Sequence, residues 1–132
     1  MKDFAISYPA TGTVAEVAVR LRRAVEAAKW GILGGYDFGE ILDSKGYPQN
    51  GPIRTLDVCA PAHAAQMLGQ EKLIGLCLPC SILIYDEAGQ ATIASVRPSA
   101  IIGKLFPQSG LEEYVAGIDQ ELESILDSAA KG

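Results

Sequence analysis

Residues 81–96 have the sequence SILIYDEAGQATIASV, which contains two apolar runs on either side of a short turn. Ser81 to Tyr85 and Ala91 to Val96 contain the β-branched and aromatic residues that strands favour. The intervening Asp86-Glu87-Ala88-Gly89 has a glycine near its end, as tight hairpin turns often do. We therefore expect two adjacent antiparallel strands in the second half of the chain.

Strands and helices alternate upstream of this hairpin. Thr13-Val14-Ala15-Glu16 has the pattern of a capping box, and apolar residues recur after it every three or four positions, which predicts a helix. A second, short helix is expected from Asp37 to about Lys45, and a third begins near Pro61. Short apolar runs predict strands at Phe4–Ser7, Ile32–Tyr36 and Ile53–Cys59.

Two helices are expected after the hairpin. Pro98–Phe106 predicts a short helix, and Ser109-Gly110-Leu111-Glu112 has the pattern of a capping box that opens a long amphipathic one. The predicted element order is therefore β-α-β-α-β-α-β-β-α-α. We expect a single α+β domain over residues 1–132, with a mixed or antiparallel sheet and helices mainly on one face.

The composition restricts both the class of protein and its partners. Hydrophobic residues make up 48% of the 132 residues and charged residues 20%, which excludes disordered and fibrous proteins. No apolar run approaches the ~18 residues of a membrane span. The net charge of −5 argues against nucleic acid as a partner. Charged residues on the predicted helices are expected to form solvated faces, namely Arg20, Arg22, Arg23, Glu112, Glu113, Glu121 and Glu123.

Three cysteines and one histidine form the candidate site. Cys59-Ala60-Pro61-Ala62-His63 and Cys77-Leu78-Pro79-Cys80 provide a C-x3-H and a C-x2-C motif, with thirteen residues between them. Three thiols and an imidazole have the number and softness of a tetrahedral metal site, compatible with zinc, copper(I) or iron. The chain begins without the pattern of a signal peptide, so we expect a cytoplasmic protein whose thiols stay reduced.

Two other uses of the same cysteines remain open. The first is a thiol-dependent redox or sulfur-transfer enzyme in which Cys59 or Cys80 is the nucleophile. Cys59 precedes a predicted helix, and the positive end of a helix favours a thiolate. A thioredoxin mechanism is disfavoured because a strand, not a helix, follows Cys80. In the second, a structural or interaction module, the cysteines are small buried hydrophobic residues, which suits the apolar run Leu76-Cys77-Leu78.

The segment from Ile53 to Pro98 resembles domain-of-unknown-function family 302. The residues that carry the likeness are Asp57-Val58-Cys59-Ala60-Pro61-Ala62-His63-Ala64 and Ile74-Gly75-Leu76-Cys77-Leu78-Pro79-Cys80, followed by the strand pair. The likeness extends over about residues 4–127 and matches Cys59 and Cys80 best. It implies an α+β fold similar to one repeat of the TATA-binding protein, usually in a homodimer, and it implies little about activity because the family is functionally uncharacterised.

These observations together lead to one functional expectation. We expect a small cytoplasmic binding domain with a cysteine-centred site for a soft metal, a metal cofactor or a sulfur species. Cys59 and Cys80 are the predicted centre of the site, and Cys77 and His63 are its additional members.

Overall fold

The computed structural model describes residues 3–132, which form five strands, five α-helices and a 3-10 helix. The strands are β1 (Ala5–Ala10), β2 (Gly31–Asp37), β3 (Ile53–Cys59), β4 (Cys80–Glu87) and β5 (Gln90–Val96). The helices are α1 (Val14–Ala27), α2 (Phe38–Ser44), α3 (Pro61–Gln70), α4 (Pro98–Leu105) and α5 (Glu112–Ala130). The 3-10 helix (Lys72–Cys77) lies between α3 and β4, and the order of the other elements confirms the prediction.

The strands form one antiparallel sheet in the spatial order β1-β5-β4-β3-β2. The predicted hairpin is confirmed, since β4 pairs with β5 and Ile84 lies opposite Ile93. Ala88 and Gly89 form its turn with φ angles of 54° and 81°. Positive φ at both central positions matches the twist of the flanking strands. Strands β1 and β2 form the two edges, and the register of β2 against β3 shifts between Ile32 and Gly34.

Helices α1 and α5 pack against one face of the sheet. Alternate residues of the central strands are buried on that face, and the residues between them are only partly buried. The buried side chains are Leu56, Val58, Ile82, Ile84 and Ile93 of the sheet, Val17, Leu21 and Val25 of α1, and Leu122 and Leu126 of α5. Each such burial stabilises the fold by roughly 1.5–3 kcal/mol. The expected α+β architecture, with helices mainly on one face, is confirmed.

The two capping boxes predicted at Thr13 and Ser109 have different outcomes. The Thr13 hydroxyl accepts a hydrogen bond from the Glu16 N–H at 3.1 Å, and the Glu16 carboxylate accepts from the Thr13 N–H at 2.9 Å, as predicted. The box at Ser109 is wrong, because α5 begins at Glu112, two residues later than that motif requires. The Ser109 hydroxyl instead accepts a hydrogen bond from the Leu111 N–H at 3.3 Å.

Arg20 departs from the predicted solvated basic face. Its Nε donates to the carbonyl oxygen of Ala129 at 2.9 Å, and its Nη2 donates to the carbonyl oxygen of Thr11. Arg20 therefore supplies a donor to one of the last carbonyl groups of α5, which have no partner within the helix. Arg22 and Arg23 are exposed, as expected. Within residues 3–132, no helix is both long enough and apolar enough to cross a membrane.

Candidate functional site

The four predicted site residues lie at one end of the central strands. Cys59 is the last residue of β3, His63 lies in the first turn of α3, Cys77 ends the 3-10 helix and Cys80 is the first residue of β4. Val58 lies opposite Cys80 in the β3–β4 pair, which places Cys59 one residue beyond the position opposite Cys80. Antiparallel pairing thus brings the end of β3 to the start of β4, and the two sequence motifs come together there.

Cys80 lies between two openings of the surface. The larger, which we call the cysteine groove, has a volume of about 270 Å³; its lining includes Met67, Cys77, Cys80, Ile101, Ile102 and Ile118. The smaller, the histidine cavity, has a volume of about 20 Å³; its lining includes Trp30, Cys59, His63, Met67, Cys80 and Ile118. Cys80 therefore shares the cysteine groove with Cys77 and the histidine cavity with Cys59.

Burial favours the protonated form of two of the thiols of this site, those of Cys77 and Cys80. Burial, followed by the effects of Cys59 and Cys77, raises the pKa of the Cys80 thiol to about 11. Burial also raises the pKa of Cys77. A thiolate on Cys59 or Cys77 opposes ionisation of Cys80 because like charges repel at short range. Cys59 and Cys77 are therefore each close enough to Cys80 to oppose its ionisation, and at neutral pH Cys80 is a neutral thiol.

His63 belongs to a separate hydrogen-bond network formed by Trp30, His63, Tyr114 and Glu121, which we call the histidine network. The Tyr114 hydroxyl lies 2.6 Å from Nδ1 of His63, and Oε2 of Glu121 lies 2.7 Å from Nε2. The Trp30 indole donates to Oε1 of Glu121 at 3.2 Å. Because a carboxylate only accepts hydrogen bonds, a neutral His63 ring donates from Nε2 to Glu121 and accepts from Tyr114 at Nδ1. Both ring nitrogens are thus engaged.

Glu121, expected to be an ordinary solvated charge on the last helix, therefore has two specific partners. Its side chain remains 45% exposed, so the expectation is correct about solvent but misses the contacts with His63 and Trp30. A signal for them exists in the sequence. Tyr114 and Glu121 are seven positions apart, which places them two turns apart on one face of α5, beside the apolar stripe. The partner on α3 is not visible from that spacing.

The four predicted residues are not arranged as a ready-made metal site. Within residues 3–132, no group of three or more His, Cys, Asp or Glu side chains is arranged to hold a metal ion. All three cysteines are free thiols. The tetrahedral set of three sulfurs and one imidazole is therefore not preassembled, and His63 would have to break hydrogen bonds to join it.

A buried acid holds the wall of the cysteine groove. Asp119 of α5 accepts hydrogen bonds from the backbone N–H of Ser99 at 3.0 Å and from the Ser99 hydroxyl, at the start of α4. Arg97 lies 3.9 Å from the same carboxylate. Since Ile101 and Ile102 of α4 and Ile118 of α5 all line the groove, these bonds fix the relative position of two of its walls.

Comparisons with known proteins agree on the family and the fold. A family model described as "Domain of unknown function DUF302" matches residues 6–129. A solved structure titled "Crystal structure of uncharacterized conserved protein DUF302 from Bacillus stearothermophilus" has a TM-score of 0.91 and 28% sequence identity. The match covers 96% of this chain and 98% of that chain. No curated protein matches this sequence.

Proposed function

The chain belongs to the family described as domain of unknown function DUF302, and from this premise we propose that it is a binding domain for a soft, thiophilic metal ion. One observation carries the proposal: Cys80 lines both the cysteine groove, together with Cys77, and the histidine cavity, together with Cys59. Thiolates are the ligands that soft metals prefer in proteins.

Among the soft metals, copper(I) suits these residues best. A structural zinc site takes four ligands in a tetrahedron, whereas two thiolates suffice for copper(I). No three-ligand group is assembled within the described part of the chain, and His63 already has partners at both ring nitrogens. Pairs of cysteines that include Cys80 are therefore the ligands that we propose.

Metal binding at this site must displace thiol protons. The pKa of Cys80 is raised to about 11, chiefly by burial, so copper(I) replaces a bound proton there at neutral pH. We therefore expect the affinity to rise with pH, because fewer protons compete with the metal.

An anaerobic copper(I) titration tests this function. We expect the reduced protein to develop the ultraviolet absorption of a copper–thiolate bond, with saturation at one ion per chain. Cys80→Ser removes this absorption, and Cys59→Ser and Cys77→Ser identify the second ligand. Ile101→Val is the matched control, because it changes a groove-lining side chain that has no atom able to bind a metal. Unsaturable binding, or equal binding by wild type and Cys80→Ser, contradicts the proposal.

A thiol-dependent redox or sulfur-transfer enzyme is the second candidate function. Cys59 and His63 line the same small cavity, and Glu121 orients the imidazole, as in a nucleophile–base pair. The hydrogen-bond partner of Nδ1 is Tyr114, however, and the raised pKa of Cys80 disfavours its thiolate. Rapid alkylation of one cysteine at neutral pH supports this candidate. If all three cysteines react only after unfolding and bind no metal, they are structural.

We also propose that the domain forms a cytoplasmic homodimer. Leu83 and Tyr85 alternate with the buried Ile82 and Ile84, so they lie on the sheet face opposite α1 and α5 and offer apolar surface to a second copy. Sedimentation equilibrium should give twice the chain mass, and Leu83→Lys should give the chain mass. Leu33→Lys, at an exposed apolar position on the edge strand, is the control. A monomeric wild type contradicts the proposal. Fractionation of cells tests the compartment.

A further inference from the structure

A third opening shares no lining residue with the cysteine groove or the histidine cavity. This opening, which we call the arginine cavity, lies between α1 and strands β2, β3 and β4 and has a volume of about 210 Å³. Gly35 of β2 pairs with Leu56, a residue buried on the helix-facing side of the sheet. Because Gly35 has no side chain, the Leu56 side chain and the Arg22 guanidinium group can lie close to the backbone of the edge strand at this point.

Two guanidinium groups line this cavity. Arg22 projects from α1, and a Cβ atom added to Gly35 would lie 3.7 Å from its Nη2. Arg54 projects from β3, with its Nε 3.6 Å from Oδ2 of Asp37. Among residues 3–132, the Arg22 side chain has no hydrogen-bond or ion-pair partner, whereas Arg20 donates to two carbonyl oxygens.

The charges around the cavity do not cancel. Asp37 is the one acidic side chain among the lining residues, and its Oδ1 also accepts a hydrogen bond from the Glu40 N–H at 3.0 Å. Two cations and one anion leave a net positive charge, although the whole protein carries −5. Guanidinium groups bind carboxylates through paired hydrogen bonds. This local excess therefore favours an anionic ligand.

The floor of the cavity is apolar. Leu21, Leu56 and Ile84 line it, and they belong to the buried core. The volume is below the roughly 300–1,000 Å³ of sites for drug-sized molecules. We propose that the arginine cavity binds a small organic carboxylate, with the acid group between Arg22 and Arg54 and a compact apolar body over Leu56 and Ile84. This site goes beyond the proposed metal function and shares no residue with it.

Benzoate and its uncharged analogue benzamide are suitable probes. In heteronuclear NMR spectra, we expect benzoate to shift the amide signals of Gly35 and Thr55 and the methyl signals of Ile84 saturably. Benzamide should cause no such shifts. Arg22→Gln and Arg54→Gln should each weaken benzoate binding by roughly ten-fold, because each removes a charge-assisted hydrogen bond. Arg23→Gln, an exposed position of α1 outside the cavity lining, is the matched control.

Two neighbouring glycines provide a second test that leaves the charges intact. A Cβ at Gly35 would lie 3.3 Å from both Cδ1 of Leu56 and the carbonyl oxygen of Thr55, whereas a Cβ at Gly34 would have no neighbour within 4 Å. Gly35→Ala should therefore narrow the cavity and weaken benzoate binding, and Gly34→Ala should leave binding unchanged. Thermal unfolding of each variant verifies that it is folded.

Several outcomes overturn this inference. Unsaturable shifts, or equal shifts with benzamide, show that the cavity does not select a carboxylate. Equal losses in Arg22→Gln and Arg23→Gln show that only the general charge of α1 matters. If inorganic sulfate displaces benzoate and binds with equal affinity, the apolar floor has no role and the ligand class is wrong. Cys80→Ser should not affect benzoate binding, so failure here and failure of the metal proposal are distinguishable.

Discussion

At the scale of single residues, the Cys80 thiol gives the most direct test of the site. Its pKa is raised from 9.0 to about 11, mainly by burial, so at neutral pH it has about 100-fold less thiolate than an ordinary cysteine. We expect iodoacetamide to modify Cys80 slowly at neutral pH and faster as the pH approaches about 11. Site-resolved mass spectrometry measures these rates, with the protein unfolded in guanidinium as the control. Equal neutral-pH rates for folded and unfolded Cys80 contradict the expectation.

The histidine network should contribute measurably to stability. Tyr114→Phe removes the hydroxyl that lies 2.6 Å from His63, and the loss of one such hydrogen bond typically costs about 1 kcal/mol. Urea unfolding measures the change in the free energy of unfolding. Tyr47→Phe is the matched control, because Tyr47 is 69% exposed. Combining Tyr114→Phe with Glu121→Gln should give a non-additive loss, since both act through His63.

The predicted strands explain why Cys59 and Cys80 are neighbours, whereas the sequence does not indicate the partners of His63. Cys59 and Cys80 meet because one ends a strand and the other begins its antiparallel neighbour, and both strands were visible as apolar runs. The partners of His63 lie 51 and 58 positions away on α5. Such contacts depend on how α3 packs against α5, which local periodicity does not describe.

At the scale of secondary-structure elements, Asp119 connects α4 to α5. Asp119→Ala leaves the partly buried Ser99 donors without their acceptor, and we expect a loss of about 1–3 kcal/mol in the free energy of unfolding. Asp119→Asn keeps one acceptor and should cost less. Asp127→Ala, on the same helix, removes only an exposed ion pair with Lys131 and should cost less than about 1 kcal/mol. Chemical denaturation of the three variants tests this order.

Helix starts show why some elements are predictable and others are not. Thr13 lies directly before the first turn of α1, so its hydroxyl and the Glu16 carboxylate meet their backbone partners. Ser109 has the same spacing to Glu112, but Gly110 takes a φ of 74° and the helix begins after Leu111. A capping motif therefore predicts that a helix is near, whereas the tertiary packing of Leu111, which is buried, determines where it begins.

At the scale of the whole molecule, stability should fall in alkaline solution. The folded state holds the Cys80 proton more tightly than the unfolded chain does, so this contribution is complete below about pH 9 and is lost as the pH rises towards about 11. Burial also raises the pKa of Tyr8, which acts in the same direction. Urea unfolding across this range should therefore show a steeper decline in wild type than in Cys80→Ala. Parallel declines in the two proteins contradict the assignment to Cys80.

The two edges of the sheet affect how copies of the protein meet. An exposed edge strand offers unpaired N–H and C=O groups to another chain, and this is how intermolecular sheets and fibrils grow. On β1, Pro9 has no N–H to offer, and on β2 the shifted register between Ile32 and Gly34 interrupts the regular spacing of these groups. Both edges are therefore poor templates for strand addition. We expect the concentrated protein to resist fibril formation.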